Sequence, residues 1–287
     1  MSAWTIGVIG GSGLYAIDAL EDAQWLAVDT PWGAPSDDLL TGRIEDVKFV
    51  FLPRHGRGHR IPPSQLNFRA NVDALKRAGC TDILAISAVG SLREALAPGR
   101  FVVVDQYVDR TFAREASFFG PGLAAHVSMA DPVCPRLSAL AADAGEAAGA
   151  GVTRGGCYLA IEGPQFSTRA ESRLYRQWGG DVIGMTGMPE AKLAREAELP
   201  YASVCMATDY DCWREGEAVD VAEILAQLHA NADTARRLIV ELARRLPKER
   251  PPSPIDTNLD AAIITPPDAR DPTMMAKLDA ICRRVLG

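Results

Sequence analysis

The sequence predicts an α/β fold built around one largely buried, mixed β-sheet with helices on both faces. Short apolar runs alternate with longer segments of helical periodicity along most of the chain. Several of the runs are apolar throughout, as strands covered on both sides should be, and strands that alternate with helices pack both faces of a single sheet. No internal repeat breaks the pattern.

Taken in order, residues 5–9, 47–52, 82–87, 101–104, 158–161, 181–185 and 201–207 read as strands. Residues 64–78 read as a helix with Ser64 as cap, apolar Leu66, Val72 and Leu75 on one side, and Gly79 as its stop. Thr168 and Glu171 have the spacing of a capping box, opening a second helix that runs to about Trp178. Pro189 in a first-turn position opens a third, and residues 219–245 form a long fourth. The composition then changes: residues 247–254, Pro-Lys-Glu-Arg-Pro-Pro-Ser-Pro, predict an extended linker. Residues 1–246 therefore form the main domain, and residues 247–287 an appended linker, short strand (261–264) and helix (272–286) docked on this or a neighbouring subunit.

Composition bounds the function. The 287 residues carry a formal charge of −7, which argues against a sequence-independent nucleic-acid binder; an anionic ligand must be held by a local site. The six cysteines lack any C-x-x-C pair and read as reduced structural thiols. No stretch approaches the roughly 20 apolar residues needed to span a bilayer, and the first residues lack a basic leader pattern. The expectation is a cytoplasmic protein.

Five segments could carry chemistry. Gly10-Gly11-Ser12-Gly13 follows the first strand, where glycines let amides and a hydroxyl approach an anion. It lacks the ending of a Walker A loop and the spacing of a dinucleotide fingerprint, so a tight structural turn serves equally well. In residues 54–60, Arg-His-Gly-Arg-Gly-His-Arg, five of seven side chains can be cationic at a strand end; the alternative is a solvated loop. Ser87-Ala88-Val89-Gly90-Ser91 reads as a third small-residue turn with hydroxyls suited to an oxyanion. In residues 184–190, Gly-Met-Thr-Gly-Met-Pro-Glu, a strand turns into a helix whose free amides favour an anion, although Thr186 could be a plain N-cap and Met185 plain core. Finally, Asp209 and Asp211 stand two residues apart after a strongly apolar strand, a spacing that puts both on one strand face. Paired buried carboxylates raise each other's pKa and could keep one protonated as an acid for a heterocycle nitrogen; a metal site and a solvent turn are the rivals.

Together, Gly-Val-Ile-Gly-Gly-Ser-Gly-Leu, Arg-His-Gly-Arg-Gly-His, Pro-Ser-Gln-Leu-Asn-Phe-Arg-Ala-Asn, Glu-Gly-Pro-Gln-Phe-Ser-Thr-Arg-Ala-Glu-Ser and Ala-Thr-Asp-Tyr-Asp-Cys-Trp resemble the methylthioadenosine phosphorylase branch of the trimeric purine nucleoside phosphorylases, from Ile6 to about Leu246. The resemblance implies a phosphorylase-type twisted sheet, a homotrimer or a dimer of trimers, and a role in purine and methionine salvage. The implied reaction is phosphate-dependent cleavage of S-methyl-5'-thioadenosine to adenine and 5-methylthioribose 1-phosphate, with no cofactor or metal, inorganic phosphate being a co-substrate.

By the same resemblance Ser12, Arg54, His55, Ser87, Ala88 and Thr186 hold phosphate, Met185 lies near the ribose and Phe166 faces the purine. Ser167, Asp209 and Asp211 form the catalytic, base-recognising group. Val221, Ile224, Leu225 and His126 make the 5' pocket, part of it from the adjacent subunit; the helical spacing of the first three also suits plain core. Asp209 favours a 6-amino purine, which offers a donor, over a 6-oxo purine. Gly184 and Gly187 instead resemble methylthioinosine-cleaving relatives, which leaves methylthioinosine or general purine nucleoside phosphorolysis as the alternative. A non-catalytic nucleotide-binding protein is the rival from a different class.

Overall fold

The computed structural model describes residues 3–11, 13–214 and 221–286. Its strands are β1 (Thr5–Gly10), β2 (Glu21–Leu26), β3 (Leu39–Ile44), β4 (Val47–Pro53), β5 (Asp82–Ser91), β6 (Arg100–Val104), β7 (Gln106–Arg110), β8 (Gly151–Arg154), β9 (Cys157–Ile161), β10 (Val182–Gly184) and β11 (Tyr201–Asp209). The helices are α1 (Phe68–Arg77), α2 (Pro135–Ala147), α3 (Arg169–Gln177), α4 (Gly187–Glu196), α5 (Val221–Arg245), α6 (Pro272–Lys277) and α7 (Arg283–Leu286).

All the strands belong to one mixed sheet. One path runs β2-β3-β4-β1-β5-β10-β9-β7, and β11 leaves it by pairing with both β5 and β6, with β8 beyond β6. The long β5 is the hub: it is parallel to β1 and β11 and antiparallel to β10 at its far end. Alternation along the strands divides the core in two. Val50 and Leu52 face a layer containing Val72, Leu75 and Leu193 of α1 and α4, whereas Phe49 and Phe51 face Leu137, Leu238 and Ile239 of α2 and α5. Helices therefore cover both faces, as the apolar runs require. Among the described residues no helix is long and apolar enough to cross a membrane.

Several boundaries differ from the sequence reading, for local reasons. The first helix starts at Phe68, because extended Leu66 separates it from a 3-10 turn at Pro63–Gln65 and the Asn67 side chain, not Ser64, accepts from the Ala70 amide. The capping box of Thr168 and Glu171 forms in both directions. Helix α4 carries a non-helical Met188 (φ −124°, ψ 138°) just before Pro189. Residues 219 and 220 of the long fourth helix lie outside the described residues.

The tail is pinned to its own chain. Trp4 Nε1 donates to the Pro247 carbonyl (2.8 Å), Arg250 bonds both Asp82 and Asp256, and Arg136 bonds the Pro251 carbonyl and Asp82. Residues 261–264 contribute an isolated bridge, Ala125 to Ile263, in place of a strand. Two short helices, α6 and α7, stand in place of one, and Leu278, Ile281 and Cys282 are buried in the core.

Candidate active site

The carboxyl ends of β1, β4, β5 and β11 converge with the turn after β10 and the first half of α5 on one cleft of about 430 Å³, a size suited to a small-molecule ligand. Arg54, His55, Ser87, Ala88, Phe166, Ser167, Met185, Thr186, Asp209, Asp211, Ile224 and Leu225 all line it. Ser12 lies outside the described residues; its neighbour Gly11 is on the cleft wall.

Arg54 leaves the end of β4 and turns inward until only 2% of it is exposed. Its Nε and Nη2 donate to the two carboxylate oxygens of Glu190 at 3.0 Å each, Nη1 donates to the Ile86 carbonyl (3.0 Å), and Nη2 also reaches the Ile9 carbonyl (3.3 Å). A guanidinium has five N–H groups, so one Nη1 proton remains for another acceptor. Burial works against the charge, but Glu190 more than offsets it and holds the guanidinium pKa above its ordinary value. Tyr201 Oη donates to Glu190 Oε1 (2.8 Å), fixing the carboxylate in turn.

The rest of the basic run divides its work. His55 lines the cleft, its Nδ1 2.9 Å from the Ile61 carbonyl and its ring stacked on His59 at 4.3 Å. A carbonyl only accepts, so Nδ1 carries the proton; burial pushes the imidazole pKa down to about 4, leaving a neutral ring whose Nε2 is an acceptor. Arg57 lies over the Trp25 ring and pairs with Asp37, and Arg60 donates to the Ser36 carbonyl. These two brace the loop.

Two further corrections concern strand ends. Residues 87–91 are not a turn: β5 continues to Ser91 because β10 and β11 pair with that stretch. Thr186 makes no side-chain cap bond to α4. Its hydroxyl lies 3.4 Å from Ser87 Oγ, and its amide donates to Tyr158 Oη (3.3 Å). Gly184 and Gly187 have a packing reason: a Cβ at Gly184 would lie 2.1 Å from Tyr158 Oη, and one at Gly187 2.7 Å from a Tyr107 ring carbon.

At the opposite end Asp209 closes β11, while Asp211 sits beyond the strand at φ 53°. The two carboxylates are therefore brought together by a turn and not by a shared strand face. The Asp211 amide donates to Asp209 Oδ1 (2.7 Å) and the Thr208 hydroxyl reaches Asp209 Oδ2 (2.7 Å) and the Val89 carbonyl (3.2 Å). A hydroxyl has one proton; when it goes to Val89, Oδ2 can keep a proton of its own. Burial raises the pKa of both carboxyl groups, and the Asp209 charge adds to the rise at Asp211. Asp211 Oδ2 and Ser167 Oγ are buried without a hydrogen-bond partner among the described residues, Ser172 standing near Asp211 outside bonding geometry. Phe166, 52% exposed, stands beside them. Among the described residues no group of three or more His, Cys, Asp or Glu could hold a metal ion.

The 5' candidates separate. Ile224 and Leu225 line the cleft and are not core; Val221, one turn earlier, is 56% exposed and off the lining. His126 is exposed on the segment bonded to Ala262 and does not line this chain's cleft. Sequence reasoning missed Tyr158 and Tyr201 behind the wall and His229 on it, and it gave no individual role to Glu190, His59 or Thr208, although each stands in a motif it singled out.

Residues 5–244 match the model of the Phosphorylase superfamily. The S-methyl-5'-thioadenosine phosphorylase of Cereibacter sphaeroides is 60% identical over 285 residues, covering 98% of each chain. The crystal structure of a methylthioadenosine phosphorylase from an Antarctic soil metagenomic library superposes with a TM-score of 0.92 at 44% identity, covering 98% of this chain and 99% of that one. A mutant adenosine/methylthioadenosine phosphorylase of Schistosoma mansoni, solved with methylthioadenosine, gives a TM-score of 0.80 at 36% identity over 98% of each chain. The chain belongs to the phosphorylase superfamily and, within it, to the S-methyl-5'-thioadenosine phosphorylase family.

Proposed function

We propose that this enzyme cleaves S-methyl-5'-thioadenosine with inorganic phosphate, giving adenine and 5-methylthioribose 1-phosphate. The observation that carries the reading is the division of one cleft into an end of hydroxyls, a buried arginine and a neutral histidine, and an end with an aromatic ring and two carboxyl groups of raised pKa. The methylthioadenosine-bound Schistosoma relative supports the same assignment.

Phosphate sits among Ser12, Arg54, His55, Ser87, Ala88 and Thr186, below the ribose, which rests on Met185. The purine packs on Phe166. As the C1'–N9 bond breaks, its electron pair passes into the purine and positive charge develops on the sugar; the phosphate dianion stabilises that charge and an oxygen of it bonds C1'. Asp209, whose carboxyl pKa is raised by burial and whose protonation Asp211 adjusts, gives its proton to N7 and accepts from the 6-amino group, with Ser167 completing the base contact. Ile224 and Leu225 receive the 5' methylthio group together with His126 of a neighbouring copy, in a homotrimer. The reaction needs no metal or organic cofactor, and the setting is cytoplasmic.

Product analysis of methylthioadenosine, methylthioinosine, adenosine and inosine, each with and without phosphate, tests the proposal. Phosphate-dependent adenine release, fastest from methylthioadenosine, is expected. Equal turnover of inosine would remove Asp209 as the selector of the 6-amino group.

A further inference from the structure

Behind the cleft wall lies a side chain that neither the motifs nor the reaction uses. Arg114, in the loop after β7, has only 2% of its side chain exposed, and all five of its N–H groups are taken. Nε donates to Glu162 Oε1 (3.1 Å); Nη1 donates to the Met185 and Met188 carbonyls (2.6 and 2.7 Å); Nη2 donates to the Glu162 and Ile161 carbonyls (2.5 and 3.4 Å). The acceptors belong to two segments that reach the cleft separately, the exit of β9 toward Phe166 and Ser167, and the turn that carries Met185 and Thr186. Glu162 also accepts the Phe112 and Ala113 amides, so the loop presenting the guanidinium is held by the residue it grips. The two Nη1 bonds bracket Thr186. With those carbonyls drawn backward and its own amide on Tyr158, the Thr186 hydroxyl is left on the cleft side beside Ser87.

We infer that Arg114 is a positioning residue for phosphorolysis: it sets the Thr186 hydroxyl and the Met185 turn against phosphate and ribose, in register with the loop that carries Phe166. Lysine cannot replace it, since an ammonium has three N–H groups on one nitrogen and cannot span both segments. Exact placement of reacting groups is worth on the order of a hundredfold in rate, and it depends on the bonds that hold the groups from behind.

The inference rests on Thr186 binding phosphate, so the test is a double-mutant cycle on the full enzyme. Arg114→Lys, Thr186→Ala and the double variant are compared by KM for phosphate, KM for methylthioadenosine and kcat. Thr186→Ala is expected to raise the phosphate KM, and Arg114→Lys to raise it about tenfold and lower kcat. In the Thr186→Ala background the same lysine should change phosphate KM by less than about threefold, because the group it positions is gone. Fully additive effects, or a folded Arg114→Lys enzyme with unaltered KM values and kcat, would overturn the inference while leaving the phosphate reading intact. A Thr186→Ala enzyme with unaltered phosphate KM would overturn both. If the lysine variant does not fold, Glu162→Gln, which keeps the guanidinium but takes away its counter-charge, replaces it in the same cycle and is read the same way.

Discussion

The two ends of the cleft are built on opposite principles. At the phosphate end the protein satisfies its own groups: Arg54 is neutralised by Glu190, Glu190 is held by Tyr201, and the Thr186 amide is bonded to Tyr158. At the base end Ser167 Oγ and Asp211 Oδ2 are buried with no bond inside the described chain, and both carboxyl groups hold protons more tightly than usual. Prearranged dipoles suit an anion whose charge persists through the reaction. Carboxyl groups with raised pKa suit a base that acquires charge only as it leaves. The contrast also explains how an acidic protein holds phosphate: with Arg54 and Glu190 paired, attraction comes from one remaining N–H and from hydroxyls more than from net charge.

Substitutions can break this contrast. The largest effect is expected at the base end: Asp209→Ala should lower kcat/KM by about 10²- to 10⁴-fold without loss of the folded state, as read by steady-state kinetics alongside thermal unfolding. At the phosphate end the cost should fall on stability. Glu190→Gln leaves a buried guanidinium without its counter-charge, and about 3–5 kcal/mol of unfolding free energy should disappear, measured by denaturant titration. Gly184→Ala should cost about 1–3 kcal/mol by overpacking against Tyr158; adding Tyr158→Phe, which takes away the clashing oxygen, should recover part of it.

Smaller effects concern pH. If Asp209 must be protonated, activity is present below its raised pKa and is lost as pH rises through it. Thr208→Val takes away the hydroxyl whose bond holds the Asp209 pKa down and should move that falling limb of the kcat/KM profile to higher pH; a shift to lower pH would contradict Asp209 as the acid. His55 has its folded-state pKa lowered to about 4 from the ordinary 6.5. Its contribution to stability is therefore complete above the unfolded value and is lost as pH falls from about 6.5 toward 4. His55→Gln should flatten the fall in melting temperature across that window.

Legibility in the sequence followed burial. Strands β1, β4, β5, β6, β9, β10 and β11 announce themselves as apolar runs because they are covered on both faces. β2 and β7 do not, since Glu21–Leu26 is exposed at every position and Gln106–Arg110 is exposed or half-buried; β3 hides behind Gly42, and the alanine-rich α2 shows little contrast between its faces. The cleft-facing motifs were readable because they cluster at strand ends. Their supports were not: Glu190 lies 136 residues from Arg54, and Arg114 lies 71 from Met185. Spacing within a motif carries no trace of such partners, which only the topology brings together.

The most direct test of the base-end account compares kcat/KM for methylthioadenosine and methylthioinosine, both with saturating phosphate, in the wild-type enzyme and in Asp209→Asn. The carboxyl account predicts that methylthioadenosine is strongly preferred by the wild type and that the preference collapses or inverts in the variant, whose amide can donate to a 6-oxo group. An Asp209→Asn enzyme that keeps the wild-type preference would contradict it.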